Sequence, residues 1–245
     1  MAVQPAPFAY ASPTTVTDAV AYLAAHPGAR LLAGGQSLLP LLAQRRERPT
    51  AVVDINGVGL DYVEVGADGD LRLGALVRHR SLERSGVALR AAPLLVEAVR
   101  WVGHPAIRHR GTLGGSLAHA DPAAELPAAV AALGGSVLVE GTGGTRRLTV
   151  GELVAGPFAT RLEPDEVVVE VRVPAIGLAD GHGAAFCEWA PRHNDRATAG
   201  VALALDVDLD GGSSGDSGPG PVMSVGAAAC GVALPGPVVL SDVLS

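Results

Sequence analysis

The sequence predicts an α+β fold, in which helices and strands are both frequent but do not alternate strictly. Apolar residues recur at helical spacing near the start, valine-rich runs of strand length follow in the middle, and further strand-length runs occur towards the end. Apolar residues make up 48% of the 245 residues and aromatic residues only 3%, so the core must consist mainly of Ala, Val and Leu. A chain of this length is expected to form one large domain or two to three small lobes.

The first part of the chain predicts a helix followed by a strand–helix–strand unit. The predicted elements are a helix at 16–24, a strand at 30–33, a helix from Ser37 to near Arg48 and a strand at 51–55. Thr14, Thr15 or Thr17 can cap the first helix, because a threonine hydroxyl accepts from a free backbone N–H. Ser37 is expected to cap the second helix, which carries Pro40 in its first turn, where a missing N–H is harmless.

The rest of the chain predicts two groups of strands with helices between them. The middle elements are a half-exposed strand at 71–75, helices at 93–102 and 128–133, and strands at 136–140, 146–149 and 166–173. Three antiparallel strands are then expected at 184–190, 200–208 and 222–232, with a flexible connector at 211–220.

Two glycine-rich segments are the most informative feature of the chain. The first glycine segment is residues 32–38, LAGGQSL, and the second glycine segment is residues 110–116, RGTLGGS. Each is predicted to be a turn that offers backbone N–H groups to an anion with little side-chain bulk nearby. The sequence contains neither the phosphate-binding loop GxxxxGK[ST] nor the dinucleotide-binding fingerprint GxGxxG. The first glycine segment therefore binds an anion with a different geometry, or it is simply a tight turn. Two such segments favour one extended ligand with a charged centre, such as a dinucleotide.

Polar side chains are concentrated in and after the second glycine segment. Thr112, Ser116, His119, Asp121 and Glu125 stand in a context otherwise rich in Ala and Leu. Hydroxyl groups suit phosphate oxygens, and carboxylates suit ribose or ribityl hydroxyls, which need acceptors. The alternative is that Asp121 caps a helix and Glu125 lies on its exposed face.

Other features exclude several classes of protein. The net charge of −7 and the lack of a basic face argue against a nucleic-acid-binding protein. Cys187 and Cys230 are far apart, so a disulfide framework or a Cys-ligated zinc or iron–sulfur site is not expected, and each is predicted to be a buried, inert thiol. No metal site is predicted, since the histidines lack metal-ligand spacing. With no signal peptide or membrane span in the sequence, a cytoplasmic protein is expected.

The two glycine segments and their flanks carry a resemblance to a known family. Residues 31–40, LLAGGQSLLP, and 110–122, RGTLGGSLAHADP, resemble the FAD-binding medium subunit of molybdenum hydroxylases, which include aerobic carbon monoxide dehydrogenases and xanthine dehydrogenases. The likeness extends from Pro7 to about Asp208. Residues 162–166 and 192–195 are weaker matches to later segments of the family.

The resemblance implies a fold and a set of cofactor contacts. The fold is the two-lobed FAD-binding fold of the vanillyl-alcohol-oxidase-like type, with lobes at 1–56 and 57–177 and a shortened C-terminal α+β domain at 178–245. The implied FAD contacts are Ala33, Gly34, Gly35, Gln36, Ser37, Leu38, Thr112, Gly114, Gly115, Ser116, His119, Asp121, Glu125, Leu162 and Asp195. By the same resemblance the two glycine segments surround the pyrophosphate, Asp121 and Glu125 hold ribityl or ribose hydroxyls, and Leu162 and Asp195 approach the isoalloxazine ring.

The implied activity is electron transfer. FAD would receive electrons from iron–sulfur clusters on a small subunit, which obtain them from a molybdenum cofactor on a large subunit, and pass them to an external acceptor. No general acid or base is implied. The alternatives are a stand-alone FAD-dependent oxidoreductase acting on a small metabolite, and a scaffold with a vestigial flavin site.

Some positions depart from the family pattern or leave alternatives open. His109 stands where the family commonly has Asn, and Arg196 where relatives often carry an apolar or aromatic residue near the ring. Arg108 or Arg110 is expected to help neutralise the diphosphate, or else to lie at the surface. Replacing Gly34 or Gly114 by Val is expected to abolish FAD retention with modest harm to folding.

Overall fold

A computed structural model describes residues 4–175, 181–192, 195–207, 222–232 and 238–239. The helices of these ranges are α1 Val16–Ala25, α2 Leu38–Ala43, α3 His79–Glu83, α4 Gly86–Ala91, α5 Pro93–Val99, α6 Pro105–Arg110, α7 Leu113–His119, α8 Glu125–Ala132 and α9 Val150–Leu153. The strands are β1 Ala9–Ala11, β2 Arg30–Leu32, β3 Ala51–Asp54, β4 Val63–Val65, β5 Leu71–Gly74, β6 Ser136–Gly141, β7 Gly144–Thr149, β8 Val154–Gly156, β9 Ala159–Thr160, β10 Val167–Val173, β11 His182–Trp189, β12 Ala199–Val207, β13 Val222–Cys230 and β14 Val238–Val239. The prediction of a mixed helix-and-sheet fold is confirmed.

The N-terminal part contains a parallel three-stranded sheet in the order β1-β3-β2. The predicted first helix is confirmed as α1, and Thr15 caps it by accepting a hydrogen bond from the backbone N–H of Asp18 at 3.1 Å. The helix buries Ala19, Val20 and Leu23 in a small core that it shares with the sheet. Strand β1 was not predicted, because only three residues form it and none of them is buried.

Helix α2 differs from its prediction at both ends. Ser37 holds the N-cap position, but its backbone is already helical and its side chain makes no cap hydrogen bond. The helix ends at Ala43 rather than near Arg48. Arg45 adopts a left-handed φ of 57°, and the carbonyl of Leu41 accepts hydrogen bonds from two later N–H groups, as in the C-terminal motifs that stop helices.

The middle of the chain forms a five-stranded antiparallel sheet in the order β4-β5-β10-β6-β7. Its central strand, β10, explains the continuous valine run of the sequence. Val167 and Val169 join the small core, whereas Val168, Val171 and Val173 join a larger one, so both faces of the strand are covered. A strand buried on both faces does not show the alternation of a half-exposed strand.

The C-terminal part forms a four-stranded antiparallel sheet in the order β11-β12-β13-β14. The three long strands confirm the predicted strands near 184, 200 and 222, whereas the predicted connector at 211–220 lies outside the described residues. Gly226 lets the sheet contact α8 directly, because a Cβ there would lie 1.9 Å from the carbonyl oxygen of Ala132. None of the helices in the described ranges is long and apolar enough to cross a membrane.

Candidate functional site

Both glycine segments line one cleft of about 750 Å³. The other walls come from α7 and the loop after it, the Phe158–Val168 region, and Asp195 with Arg196. The cleft brings together every residue predicted to contact a cofactor: Ala33, Gly34, Gly35, Gln36, Ser37, Leu38, Thr112, Gly114, Gly115, Ser116, His119, Asp121, Glu125, Leu162 and Asp195. Residues from four distant parts of the chain, 33–38, 111–125, 158–168 and 195–196, therefore face a common space.

The two glycine segments are in direct contact with each other. A Cβ on Gly34 would lie 2.4 Å from the carbonyl oxygen of Arg110 and 2.8 Å from the Cα of Gly111. A Cβ on Gly111 would in turn lie 2.8 Å from Nδ1 of His79. Glycine is required at both positions because one backbone packs against the other, and a side chain would separate them.

The first glycine segment presents unpaired backbone donors to the cleft. Within the described part of the chain, no acceptor takes a hydrogen bond from the N–H groups of residues 34–37. Gly35 turns the chain with a φ of 73°, and the Gln36 side-chain amide donates to the carbonyl oxygen of Gly34 at 3.2 Å. Successive N–H groups in such a turn form a concavity that binds anions. Of residues 34–37 only Gly34 is buried, so the other donors are open to water or to a ligand.

The second glycine segment differs from its prediction, because it opens helix α7 instead of forming a turn. Thr112 is the N-cap, and its Oγ1 accepts from the N–H of Gly115 at 3.2 Å. The N–H of Ser116 donates to the carbonyl oxygen of Thr112 at 3.0 Å. Most donors of this segment are therefore satisfied within the protein.

The remaining donors of α7's first turn are used to attach the helix to the middle sheet. The N–H groups of Leu113 and Gly114 donate to the carbonyl oxygens of Val77 and Ala75 at 3.0 and 2.9 Å. A Cβ on Gly114 would lie 2.6 Å from the Cβ of Ala75. The expectation that a side chain at Gly114 would crowd only a ligand, with modest harm to folding, is therefore wrong. Gly34 contradicts it in the same way.

Asp121 and Glu125 form an acidic wall of the cleft. Helix α8 begins at Glu125 with Ala124 as its N-cap, so the alternative that Asp121 caps this helix is wrong. The Asp121 carboxylate instead accepts from the N–H of Ala123 at 3.0 Å and forms an ion pair with Arg196. Glu125 is only 8% exposed, which also rules out its placement on an exposed helix face.

The Glu125 carboxyl is held in its neutral form. Burial raises its pKa to about 8, and the negative charges of Glu188 and Asp121 add to the effect, against a lowering by a backbone hydrogen bond and by Arg196. A protonated carboxyl can donate a hydrogen bond as well as accept one. Glu125 is therefore suited to a ligand hydroxyl or carbonyl oxygen.

Phe158 is a cleft residue that the sequence analysis missed. Its ring is 52% exposed, lies 5.2 Å from that of His119 between centroids, and has the Arg196 guanidinium 5.5 Å from its centre. Its φ of 57° is left-handed, and its N–H donates to the carbonyl oxygen of Ala120 at 2.8 Å. The sequence offered one indication of a special role for this residue, namely that the chain has only three phenylalanines.

His119 and Arg196 complete this end of the cleft. Burial lowers the pKa of His119, and Arg196 adds to that lowering against the opposing effect of Asp121, so the imidazole is neutral near pH 7. Arg196, the position that departs from the family pattern, lies on the cleft and is anchored there by Asp121.

Two other expectations are corrected. Arg108 is buried, and its guanidinium already has partners. It donates to Glu83 at 3.1 Å and to the carbonyl oxygens of Val102 and Gly103 at 3.0 and 2.7 Å, so it is no free cation for a ligand.

Of the two free cysteines, only Cys230 is buried, with its pKa raised to about 12 by burial and then by nearby carboxylates. Cys187 is exposed.

A comparison with protein families shows which family the chain belongs to. Residues 6–176 match the family described as FAD binding domain in molybdopterin dehydrogenase. The chain belongs to this family. The match contains every cleft residue discussed above except Asp195 and Arg196.

Curated proteins of similar sequence were also found. The chain is 43% identical over 211 residues to the 6-hydroxypseudooxynicotine dehydrogenase complex subunit alpha of Paenarthrobacter nicotinovorans, covering 85% of this chain and 70% of that protein. It is 36% identical over 203 residues to the carbon monoxide dehydrogenase medium chain of Hydrogenophaga pseudoflava, covering 82% of this chain and 70% of that protein.

Solved structures agree with the family assignment. Carbon monoxide dehydrogenase from Hydrogenophaga pseudoflava superposes with a TM-score of 0.86 and 34% identity over 96% of this chain and 78% of that chain. Quinoline 2-oxidoreductase from Pseudomonas putida 86 gives a TM-score of 0.85 and 33% identity over the same shares. The helices and sheets described above are therefore those of an FAD-binding fold.

Proposed function

We propose that this chain is the FAD-binding subunit of a molybdenum hydroxylase, an FAD-dependent oxidoreductase complex. It passes electrons from iron–sulfur clusters on a small subunit, supplied by a molybdopterin large subunit, through FAD to an external acceptor. The observation that carries the proposal is that the N–H groups of residues 34–37 have no acceptor among the described residues and lie on a cleft lined by family-matched residues.

The cleft fits FAD in size and in chemistry. Its volume of about 750 Å³ lies within the range of small-molecule and cofactor sites. A diphosphate needs several donors with little steric bulk, which the backbone at 34–37 offers. Ribityl and ribose hydroxyls need polar partners, which Asp121 and Glu125 offer.

Each side of the cleft has its own task in this proposal. The first glycine segment binds the diphosphate through its backbone, and Thr112 and Ser116 contribute hydroxyl oxygens from the second. His119, Leu162 and Asp195 lie along the flavin ring, and Glu125 holds a proton at its carboxyl. When bound, FAD supplies the redox chemistry, while the protein provides position, electrostatics and protection from water.

We assign the two-lobed vanillyl-alcohol-oxidase-like arrangement to the same proposal, with lobes at 1–56 and 57–177 and a C-terminal domain at 178–245. The topology supports this division, because the strands of the parallel sheet, the five-stranded sheet and the four-stranded sheet each come from one of these ranges. The cytoplasmic location expected from the sequence also remains part of the proposal.

The test is purification of the chain, followed by visible spectroscopy before and after addition of FAD. A flavin spectrum at one FAD per chain is expected, with no hydroxylation of any substrate by the chain alone, since it supplies no oxygen-transfer centre. A colourless protein that ignores FAD would contradict the proposal and favour a scaffold. Substrate turnover by the lone chain would favour a stand-alone oxidoreductase instead.

A further inference from the structure

A polar link of two side chains joins the two glycine segments. The Asn56 side-chain Nδ2 donates to the carbonyl oxygen of Ala33 at 3.0 Å. Arg78 donates from Nη2 to Oδ1 of Asn56 at 2.6 Å and from Nη1 to the carbonyl oxygen of Arg110. The chain of contacts therefore runs from Ala33 through two side chains to Arg110, and we refer to Asn56 and Arg78 as the Asn56–Arg78 clamp.

Arg78 is fixed firmly to the second glycine segment. It forms an isolated antiparallel bridge with Thr112. Two backbone hydrogen bonds flank the bridge. The N–H of His79 donates to the carbonyl oxygen of Gly111 at 3.0 Å, and the N–H of Leu113 donates to the carbonyl oxygen of Val77 at 3.0 Å. The guanidinium thus extends from a rigid base towards the first segment.

Asn56 is oriented by its own set of partners. Asp54 Oδ1 accepts from the backbone N–H of Asn56 at 3.0 Å and from its Nδ2 at 2.6 Å. The hydroxyl of Tyr10 donates to the other carboxylate oxygen of Asp54 at 2.8 Å. With both amide protons directed to Asp54 and Ala33, the amide oxygen faces Arg78.

We propose that Asn56 and Arg78 are positioning residues that set the spacing of the two glycine segments and thereby the affinity for the diphosphate of a dinucleotide. The inference rests on the proposed function. Gly34 already lies against the Arg110 carbonyl, so a small separation there changes where the N–H groups of 34–37 point. The guanidinium donates to Asn56 from Nη2 and to the Arg110 carbonyl from Nη1, two nitrogens held in a fixed plane, whereas a lysine has one nitrogen and does not reproduce this two-nitrogen geometry.

The experiment compares wild type with Asn56→Ala, Arg78→Lys and the double variant. Dissociation constants for FAD and for ADP, which carries the diphosphate without the flavin, are measured by fluorescence and competition, and melting temperatures are measured on the apo chain. Each single variant is expected to weaken FAD and ADP equally, by about tenfold. The double variant is expected to be little weaker than the worse single one, because both side chains act through one link. Apo melting temperatures should change little, since Asn56 is exposed, Arg78 is half-buried and the hydrogen bonds of the clamp lie at the surface.

Arg72→Lys is the matched control, because Arg72 also forms an exposed side-chain contact, but with Asp68 and not with a residue of either glycine segment. It should leave both dissociation constants unchanged. Asn56→Asp is a second variant in case Asn56→Ala unfolds: it keeps an acceptor for Arg78 but loses the donor to Ala33, so it should also weaken both ligands.

The outcomes separate this inference from the function it rests on. If wild type binds neither FAD nor ADP, the proposed function fails. If wild type binds both and the clamp variants bind them equally well, or lose FAD while keeping ADP, the clamp is overturned and the proposed function stands.

Discussion

The two glycine segments look alike in sequence but do opposite things with their backbones. Both contain Gly-Gly-x-Ser or Gly-Gly-Ser, and both line the same cleft. In the first, the N–H groups of 34–37 lack acceptors within the described ranges, whereas in the second those of 113–116 are bonded to the protein. The comparison teaches that a glycine-rich motif identifies close approach of backbones, and that only the hydrogen bonds show which backbone is left to bind a ligand.

The largest effect is expected from Gly34→Ala and Gly114→Ala, because both glycines contact protein and not only a ligand. The new Cβ would lie 2.4 Å from the Arg110 carbonyl oxygen in the first case and 2.6 Å from the Ala75 Cβ in the second. Each variant should lose about 3 kcal/mol of unfolding free energy, the upper range for overpacking. Urea unfolding of the apo chain measures this. Unchanged apo stability in either variant would contradict the packing.

Next in size is the effect of Gly35→Ala, which tests the backbone shape of the first segment. Gly35 has a φ of 73°, so an alanine costs about 1–2 kcal/mol of strain, and relief of that strain would redirect the N–H row. We expect reduced stability and about tenfold weaker FAD binding.

Gly134→Ala is the matched control for that variant. Gly134 has a φ of 65°, a Cβ there would contact nothing within 4 Å, and the residue does not line the cleft. It should lose about 1–2 kcal/mol through strain alone, less than Gly35→Ala, whose Cβ would also lie 2.9 Å from Cδ1 of Leu39, and it should keep its FAD affinity. If both variants weaken FAD binding equally, the effect of Gly35→Ala is one of general stability.

A smaller effect on stability is expected at the two N-cap positions, where substitution of Thr112 and of Ser37 should have different consequences. Thr112 caps α7 through its hydroxyl, so Thr112→Val should cost about 1 kcal/mol of stability. Ser37 makes no cap hydrogen bond, so Ser37→Ala should leave apo stability unchanged while it weakens FAD binding. Thermal melts and FAD titrations of both variants measure the contrast. Equal losses of stability would show that both segments are held in the same way.

The last effect is a pH dependence that arises beyond the second segment and accumulates over several pH units. The pKa of Glu125 is raised to about 8 from its usual 4.5, so the folded chain binds a proton that the unfolded chain releases. Its stabilising contribution is complete below about pH 4.5 and is lost as the pH rises to about 8, with a slope of at most about 1.4 kcal/mol per pH unit. Glu125→Gln should flatten that slope in denaturation measured from pH 5 to 8. An unaltered slope would contradict a neutral Glu125.

The sequence predicted elements whose cause is local and missed those whose cause is tertiary. Helix α1 was found from its apolar spacing and the threonines before it, of which the structure shows Thr15 to be the cap, and β10 was found from its valine run. Helix α7 was taken for a turn because glycines disfavour helix, but the Thr112 cap and the contact with Ala75 override that preference.

The same distinction applies to the site. The cleft residues near the glycine segments were named from the family resemblance, and all of them face one space. Phe158 and the Asn56–Arg78 clamp were missed, because each reaches the site from a remote part of the chain without a local pattern. The difference between the two segments was also invisible, since hydrogen-bond acceptors such as the Ala75 carbonyl are set by topology.

Hydrogen exchange of individual backbone amides, with and without FAD, tests the central claim most directly. The amides of 34–37 should exchange fast in the apo chain and become strongly protected at saturating FAD, whereas those of 114–116 should already be protected before FAD is added. Rapid exchange at 34–37 in the saturated protein, with new protection confined to 114–116, would contradict the account.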